Sequence, residues 1–95
     1  MNRVALSARI AEASALRYTP AGIPALDLRL EHESEVLEAG QRRQVKATLR
    51  AIALGPVADS IVRQPVGSPW LFQGFLATPR NGRHLVLHIQ TFEPA

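Results

Sequence analysis

The chain has no cysteine, which excludes disulfides and thiolate metal centres and suits a reducing compartment. Its aromatic residues are few: Tyr18, Trp70, Phe72, Phe75 and Phe92 are all it has. Long apolar runs are missing, and none approaches the roughly 20 residues of a membrane span. The N-terminus alternates too soon, and carries Arg9 and Glu12 too early, to read as a signal peptide; a cytoplasmic location is expected. There is no G-x-S-x-G elbow and no glycine-rich loop with phosphate-cradling spacing. No nucleophile, base and pocket can be assembled, so the chain reads as a non-enzyme with no cofactor. Lysine is almost missing too. Ten of the eleven cations are arginine, Lys46 is the exception, and the formal charge is +3. Arginine offers a planar fork that both binds phosphate and stacks on bases.

What is present is alternation. In Thr19–His32, Pro20 presets φ and Gly22 supplies the freedom a turn needs. After Pro24, Leu26, Leu28 and Leu30 fall on one side and Asp27, Arg29 and Glu31 on the other. A half-solvated antiparallel strand reads this way.

The neighbours follow the same pattern. A first strand is predicted from Arg3 to about Ala11, with Val4, Leu6, Ala8 and Ile10 facing one way. A short piece at Ala15–Tyr18 leads into the turn, and the next strand covers about Ala25–Glu33. Glu31, Glu33, Glu35 and Glu38 then read as a solvated loop around Gly40 rather than a catalytic dyad. From Gln41 the charge reverses: Arg42, Gln44, Lys46, Thr48 and Arg50 share one parity against Val45, Ala47, Leu49 and Ala51. Gly55-Pro56 breaks this strand and opens a helix of about two turns through Val57, Ala58, Ile61 and Val62. A strand at Trp70–Ala77 holds Gly74, which signals a bulge or sharp coil. Pro79, Asn81 and Gly82 form a connection flanked by Arg80 and Arg83, and a last strand is predicted from His84 to about Phe92.

Three strands, one short helix and two strands in 95 residues make one domain, residues 1–95. The order is that of an all-β, five-stranded Greek-key barrel, the OB-fold, a pattern that another small β-barrel would share. His84 and His88 would lie about 13 Å apart along a strand, too far to share a metal. A hydrogen-bonded strand histidine is the expected role of His32.

Five blocks carry a family likeness: N-R-V-A-L-S at 2–7, T-P-A-G-I-P at 19–24, L-R-L-E-H-E-S at 28–34, F-Q-G-F-L at 72–76 and L-V-L-H at 85–88. Together, in one collinear register, they resemble primosomal replication protein N, the single-strand-binding-like family of bacterial replication restart. The single-stranded DNA-binding proteins look similar in the same blocks, and the shorter length separates the chain from them. The resemblance implies an OB-fold homodimer that binds single-stranded DNA and docks on the restart helicase and other primosome proteins. An exposed edge strand that a second copy could cover fits a dimer, with Val4–Ile10 of the first strand as the candidate contact.

Single-strand binders combine a cationic groove with aromatic platforms. Arg42, Arg43, Lys46 and Arg50 on the third strand, Arg80 and Arg83 beside the last loop, and Arg17 before the turn are the candidate phosphate contacts. Arg43, Lys46 and Arg83 are favoured among them, whereas Arg9 and Arg63 read as ordinary solvated positions. Tyr18 is the aromatic left open between groove and core; Trp70, Phe75 and Phe92 read as packing residues. The chain departs from the family pattern at Lys46 and Gln41, where that pattern has a tryptophan and a phenylalanine. Its last loop is also about three residues shorter. DNA binding is therefore expected to be weak and electrostatic. The rival reading is a protein-interaction module of the primosome with vestigial DNA binding. An RNA-binding barrel of the cold-shock kind fits less well, because the second and third strands carry no aromatic.

Overall fold

The computed structural model describes all 95 residues. Its strands are β1 (Val4–Ala13), β2 (Arg17–Tyr18), β3 (Pro24–Glu38), β4 (Gln41–Leu54), β5 (Pro69–Ala77) and β6 (Val86–Pro94), with one helix, α1 (Pro56–Ile61), between β4 and β5. The sheet order is β1-β5-β6-β4-β3-β2, and a β1–β3 pairing closes it into a barrel. β4 and β6 run parallel over Ala51–Ala53; the other pairings are antiparallel. Five strands close the ring and β2 is a two-residue appendage on β3. This is the OB-fold.

The alternation of the apolar residues builds the core. Ala8 and Ile10 of β1, Leu26, Leu28 and Leu30 of β3, Ala51 and Ala53 of β4, Phe72 of β5, and Leu87 and Ile89 of β6 all point inward and are buried. Ala58 and Ile61 of α1 complete the cluster. Pro56 stands in the first turn of α1, after Gly55 at φ 80°. A six-residue helix does not hold alone; this one is held by packing on β3, β4 and β6. The turn before β3 forms as expected, with Gly22 N–H donating to Thr19 O at 2.8 Å and Gly22 at φ 81°. No helix is long and apolar enough to cross a membrane.

The largest departure from the sequence reading is at the acidic run. Glu35 and Glu38 do not lie in a loop: β3 continues to Glu38, and β4 begins at Gln41. Only Ala39 and Gly40 turn the chain, both left-handed at φ 52° and 77°, as a two-residue hairpin of matching twist requires. The ladder from Ala25↔Leu54 to Glu38↔Gln41 is unbroken. β1 accompanies β3 only as far as Glu31, and β6 accompanies β4 only from Ala51. The outer part of the hairpin therefore projects as a two-stranded arm, and the molecule measures 50 × 29 × 21 Å.

Smaller corrections follow from pairing. β1 runs on to Ala13 because Glu12 and Ala13 pair with Arg29 and Leu28 after an irregularity at Ile10/Glu12. The last strand starts at Val86, opposite Ala77, so His84 and Leu85 belong to the connection. The expected bulge is present: Gln73 pairs with Thr91 and Gly74 with Ile89, leaving Gln90 unmatched.

Candidate nucleic-acid interface

Residues opposite one another on a ladder share a face. Even positions of β4 and odd positions of β3 therefore make the outer surface of the barrel and arm. From tip to base its pairs are Leu37/Arg42, Glu35/Gln44, Glu33/Lys46, Glu31/Thr48, Arg29/Arg50 and Asp27/Ile52. Acid and base interleave here. Arg42 donates to Glu35 at 3.2 Å, and Lys46 Nζ lies 3.9 Å from Glu33. Gln44 also donates to Glu35, at 3.0 Å. Arg43 points to the opposite face and pairs with Glu38 at 2.8 Å.

The base of this surface is paired too. Arg9 donates to Glu31 at 2.7 Å, Arg29 to Glu12 at 2.9 Å, and Arg17 reaches both oxygens of Asp27 at 2.9 and 3.1 Å. The hydrogen bond from Arg9, with its charge, holds the Glu31 carboxyl below its ordinary range. In return Glu31 raises Arg9, and Asp27 raises Arg17, by the same two effects. Arg9, read from sequence as simply solvated, thus has a defined partner.

Six cations are engaged in this way, and five have no carboxylate partner: Arg3, Arg50, Arg63, Arg80 and Arg83. Only Asp59 and Glu93 are free among the acids. The excess of five over two is the whole net charge of +3. Four of the five unpaired arginines gather around the β5–β6 connection. Arg80 and Arg83 are exposed within it. Arg50 sits on β4 beside the start of β6, sharing a groove of about 640 Å³ with Asp27, Arg29 and Val86. Arg3 follows Asn2, whose side chain donates to Leu76 O at 2.6 Å and accepts from Leu76 N–H at 3.0 Å, just before the connection begins. Arg63 lies apart, donating to Asp59 O at the end of α1.

The aromatic residues divide. Trp70 packs edge-on against Phe92 at 4.9 Å, with its indole N–H donating to Ser68 Oγ at 2.8 Å. Phe92 also stacks on buried Phe72 at 6.5 Å, so Trp70 and Phe92 are packing residues as read. Tyr18 is 64% exposed, outside the core, beside the Arg17–Asp27 pair. Phe75 differs from the expectation. It faces outward and stacks on His88 at 4.8 Å and 10°. Strand parity carried the signal, since Phe75 alternates against Phe72 and His88 against Leu87. His32 is the hydrogen-bonded histidine expected: Nδ1 donates to Ser7 O at 2.5 Å and Nε2 meets Ser34 Oγ at 2.7 Å.

A closed OB barrel with a projecting hairpin and an arginine-rich outer surface defines a ligand-binding OB module. Residues 2–91 match a family described as "another single-strand binding protein family", and the chain belongs to that family, among the replication restart PriB proteins. It is 50% identical over 91 residues to Replication restart protein PriB of Bordetella pertussis, covering 95% of this chain and 85% of that one. It is similar to the solved structure of PriB from Ralstonia solanacearum, with TM-score 0.90 and 34% identity over 99% and 97% of the two chains. The single-strand-binding domain of a Synechococcus protein shares the fold alone, with TM-score 0.73 and 20% identity over 98% and 94%. These are families of binding proteins, and the chain is not an enzyme.

Proposed function

We propose that this chain binds single-stranded DNA in replication restart, weakly and by electrostatics, and bridges the restart helicase to DNA as the primosome assembles. Its family membership supports the role. One observation carries the mode of binding: the net positive charge resides on unpaired arginines, four of them around the β5–β6 connection, while the cations of the arm are already met by carboxylates. Arg50, Arg80 and Arg83 are the principal phosphate contacts. Arg17, Arg42, Arg43 and Lys46 contribute less, because each must leave or share a carboxylate to reach a phosphate. Tyr18 offers an exposed ring beside them.

The protein works as a homodimer in the cytoplasm. Between Val4 and Ala8, β1 has a strand partner on one side only, β5, and its other edge can take a second copy. The side chains of Val4, Leu6, Ala8 and Ile10 serve the core, so such a contact runs through backbone rather than through that apolar face.

The test is fluorescence anisotropy with labelled poly-dT of about 30 nucleotides, longer than the roughly 4–16 nucleotides an OB fold covers. Saturable binding that weakens steeply between about 50 and 200 mM salt supports the reading. Tight binding indifferent to salt overturns the electrostatic account. No binding by folded protein favours the second reading, a protein-interaction module with vestigial DNA contact. The exposed Val36 and Leu37 at the arm tip speak for that alternative. Competition between oligonucleotide and helicase for the protein separates the two.

A further inference from the structure

We infer that Phe75 and His88 form the wall of a nucleobase slot on the outer surface of the barrel, a stacking site that adjoins the base of the β3–β4 face at Ile52. The inference rests on the single-strand-binding reading above and specifies where a base is held. Phe75 and His88 are direct partners on the β5–β6 ladder, half-buried, with rings parallel at 4.8 Å. A cavity of about 270 Å³ lies against them, and Ile52, Leu54, Val57 and Ile89 supply its remaining apolar lining. Leu54 is itself 43% exposed. Parallel aromatic rings beside an open apolar shelf suit a flat heterocycle, and stacking of this kind is sequence-tolerant because every base has a π face.

The backbone is shaped for this pair. Gly74 lets β5 and β6 approach so closely that a Cβ there would lie 1.7 Å from the His88 carbonyl oxygen. The unmatched Gln90 then restores the register beyond.

Charge around the slot matches a nucleic-acid backbone. Val4 pairs with Gly74, so the register carries Arg3 alongside Phe75. Arg50 precedes Ile52 by two residues on the same face of β4, roughly 7 Å along the strand. Neither arginine has a carboxylate partner. Asp27, the acid opposite Ile52, is held by Arg17. A base in the slot therefore has an unpaired guanidinium on either side for its flanking phosphates.

The test compares a poly-dT oligonucleotide with an abasic oligonucleotide of equal length and charge. It uses the wild-type chain, Phe75→Leu, His88→Leu and His88→Phe, with folding of each checked by circular dichroism. A dT-based oligonucleotide carrying 2-aminopurine reports stacking directly through quenching of its emission. Wild type and His88→Phe should prefer the base-bearing strand by about five- to tenfold and quench the probe. Both leucine variants, which keep apolar volume but lose a ring face, should bind the two strands alike. Salt-dependent binding with no preference for bases, unchanged in the leucine variants, overturns the slot and leaves the electrostatic reading standing. Absence of binding to either strand overturns the underlying reading and the slot with it.

Discussion

Lys46 stands directly across the β3–β4 ladder from Glu33, with its ammonium 3.9 Å from the carboxylate. The only lysine of the chain is thus partly neutralised on the face where a DNA phosphate would meet it. Converting Glu33 to Gln removes the competing charge and keeps the side chain's length. Affinity for single-stranded DNA should rise, and the slope of log K against log salt should steepen by up to about 0.7 if one more phosphate is neutralised. Anisotropy titrations across a salt series measure both. An unchanged slope would mean that Lys46 does not face the strand.

The unpaired arginines lead to the opposite experiment. Arg80→Ala with Arg83→Ala removes two cations that have no carboxylate to release. The slope should flatten by about 0.7 for each phosphate that is no longer neutralised. Arg42→Ala with Arg43→Ala removes the same charge from residues already paired with Glu35 and Glu38, and its effect should be smaller. Equal losses of affinity in the two double variants would contradict the placement of the active charge at the β5–β6 connection.

The contrast also shows what was legible in the sequence. Alternation at Leu26, Leu28 and Leu30 identified β3 and its core face. Gly55-Pro56 marked the start of α1, and Gly74 marked the bulge. The acidic run at Glu31–Glu38 and the basic run at Arg42–Arg50 were each readable as composition, but not as halves of one ladder. That requires the turn to fall on Ala39 and Gly40 alone, and Ala39 has no side-chain reason to adopt φ 52°. Once it does, opposite charges face each other across two strands, and a ribbon that would be marginal alone gains its cross-strand partners. The Phe75–His88 pair was missed, since Phe75 reads as a packing residue: strand parity held the signal that it faces outward, but only the ladder register makes the two residues neighbours.

Gly74 carries a stability prediction. A methyl group there meets backbone rather than a flexible side chain, so β5 and β6 must part at His88. Gly74→Ala should cost about 2 kcal/mol or more, in line with overpacked cores. For a domain of this size that is a fall in Tm of roughly 10 °C. Thermal denaturation followed by circular dichroism measures it, and an unshifted Tm would contradict the close approach.

Acid should weaken the join between β1 and β3. Glu31 is held below its ordinary value by the hydrogen bond and charge of Arg9. A depressed carboxyl contributes stability that is present above its unfolded pKa and is lost as pH falls through its folded value. Arg9→Ala should therefore destabilise the protein at neutral pH, and its difference from wild type should shrink in acid below the ordinary glutamate range. The pair is exposed, so the effect is small and needs urea titrations at matched pH. A difference that grows as pH falls would reverse the assignment.

Lys46→Trp tests what the arm lacks. The outer face of β3 and β4 has no aromatic residue, and position 46 faces outward at the middle of the arm. A tryptophan there trades one partly paired charge for a stacking surface. Base stacking is worth about 1–3 kcal/mol per base, whereas a cation shared with Glu33 gives up only part of its attraction for a phosphate. The stacking term should win at physiological salt, where screening has already reduced the electrostatic part. The variant should bind poly-dT more tightly there than wild type, with a flatter salt slope and quenched tryptophan emission on binding. Trp70 is the only other indole, and it packs on Phe92, so the added signal can be assigned by difference. Tighter binding without quenching would mean that the gain comes from elsewhere. Weaker binding at physiological salt would mean that Lys46, despite Glu33, is a principal phosphate contact.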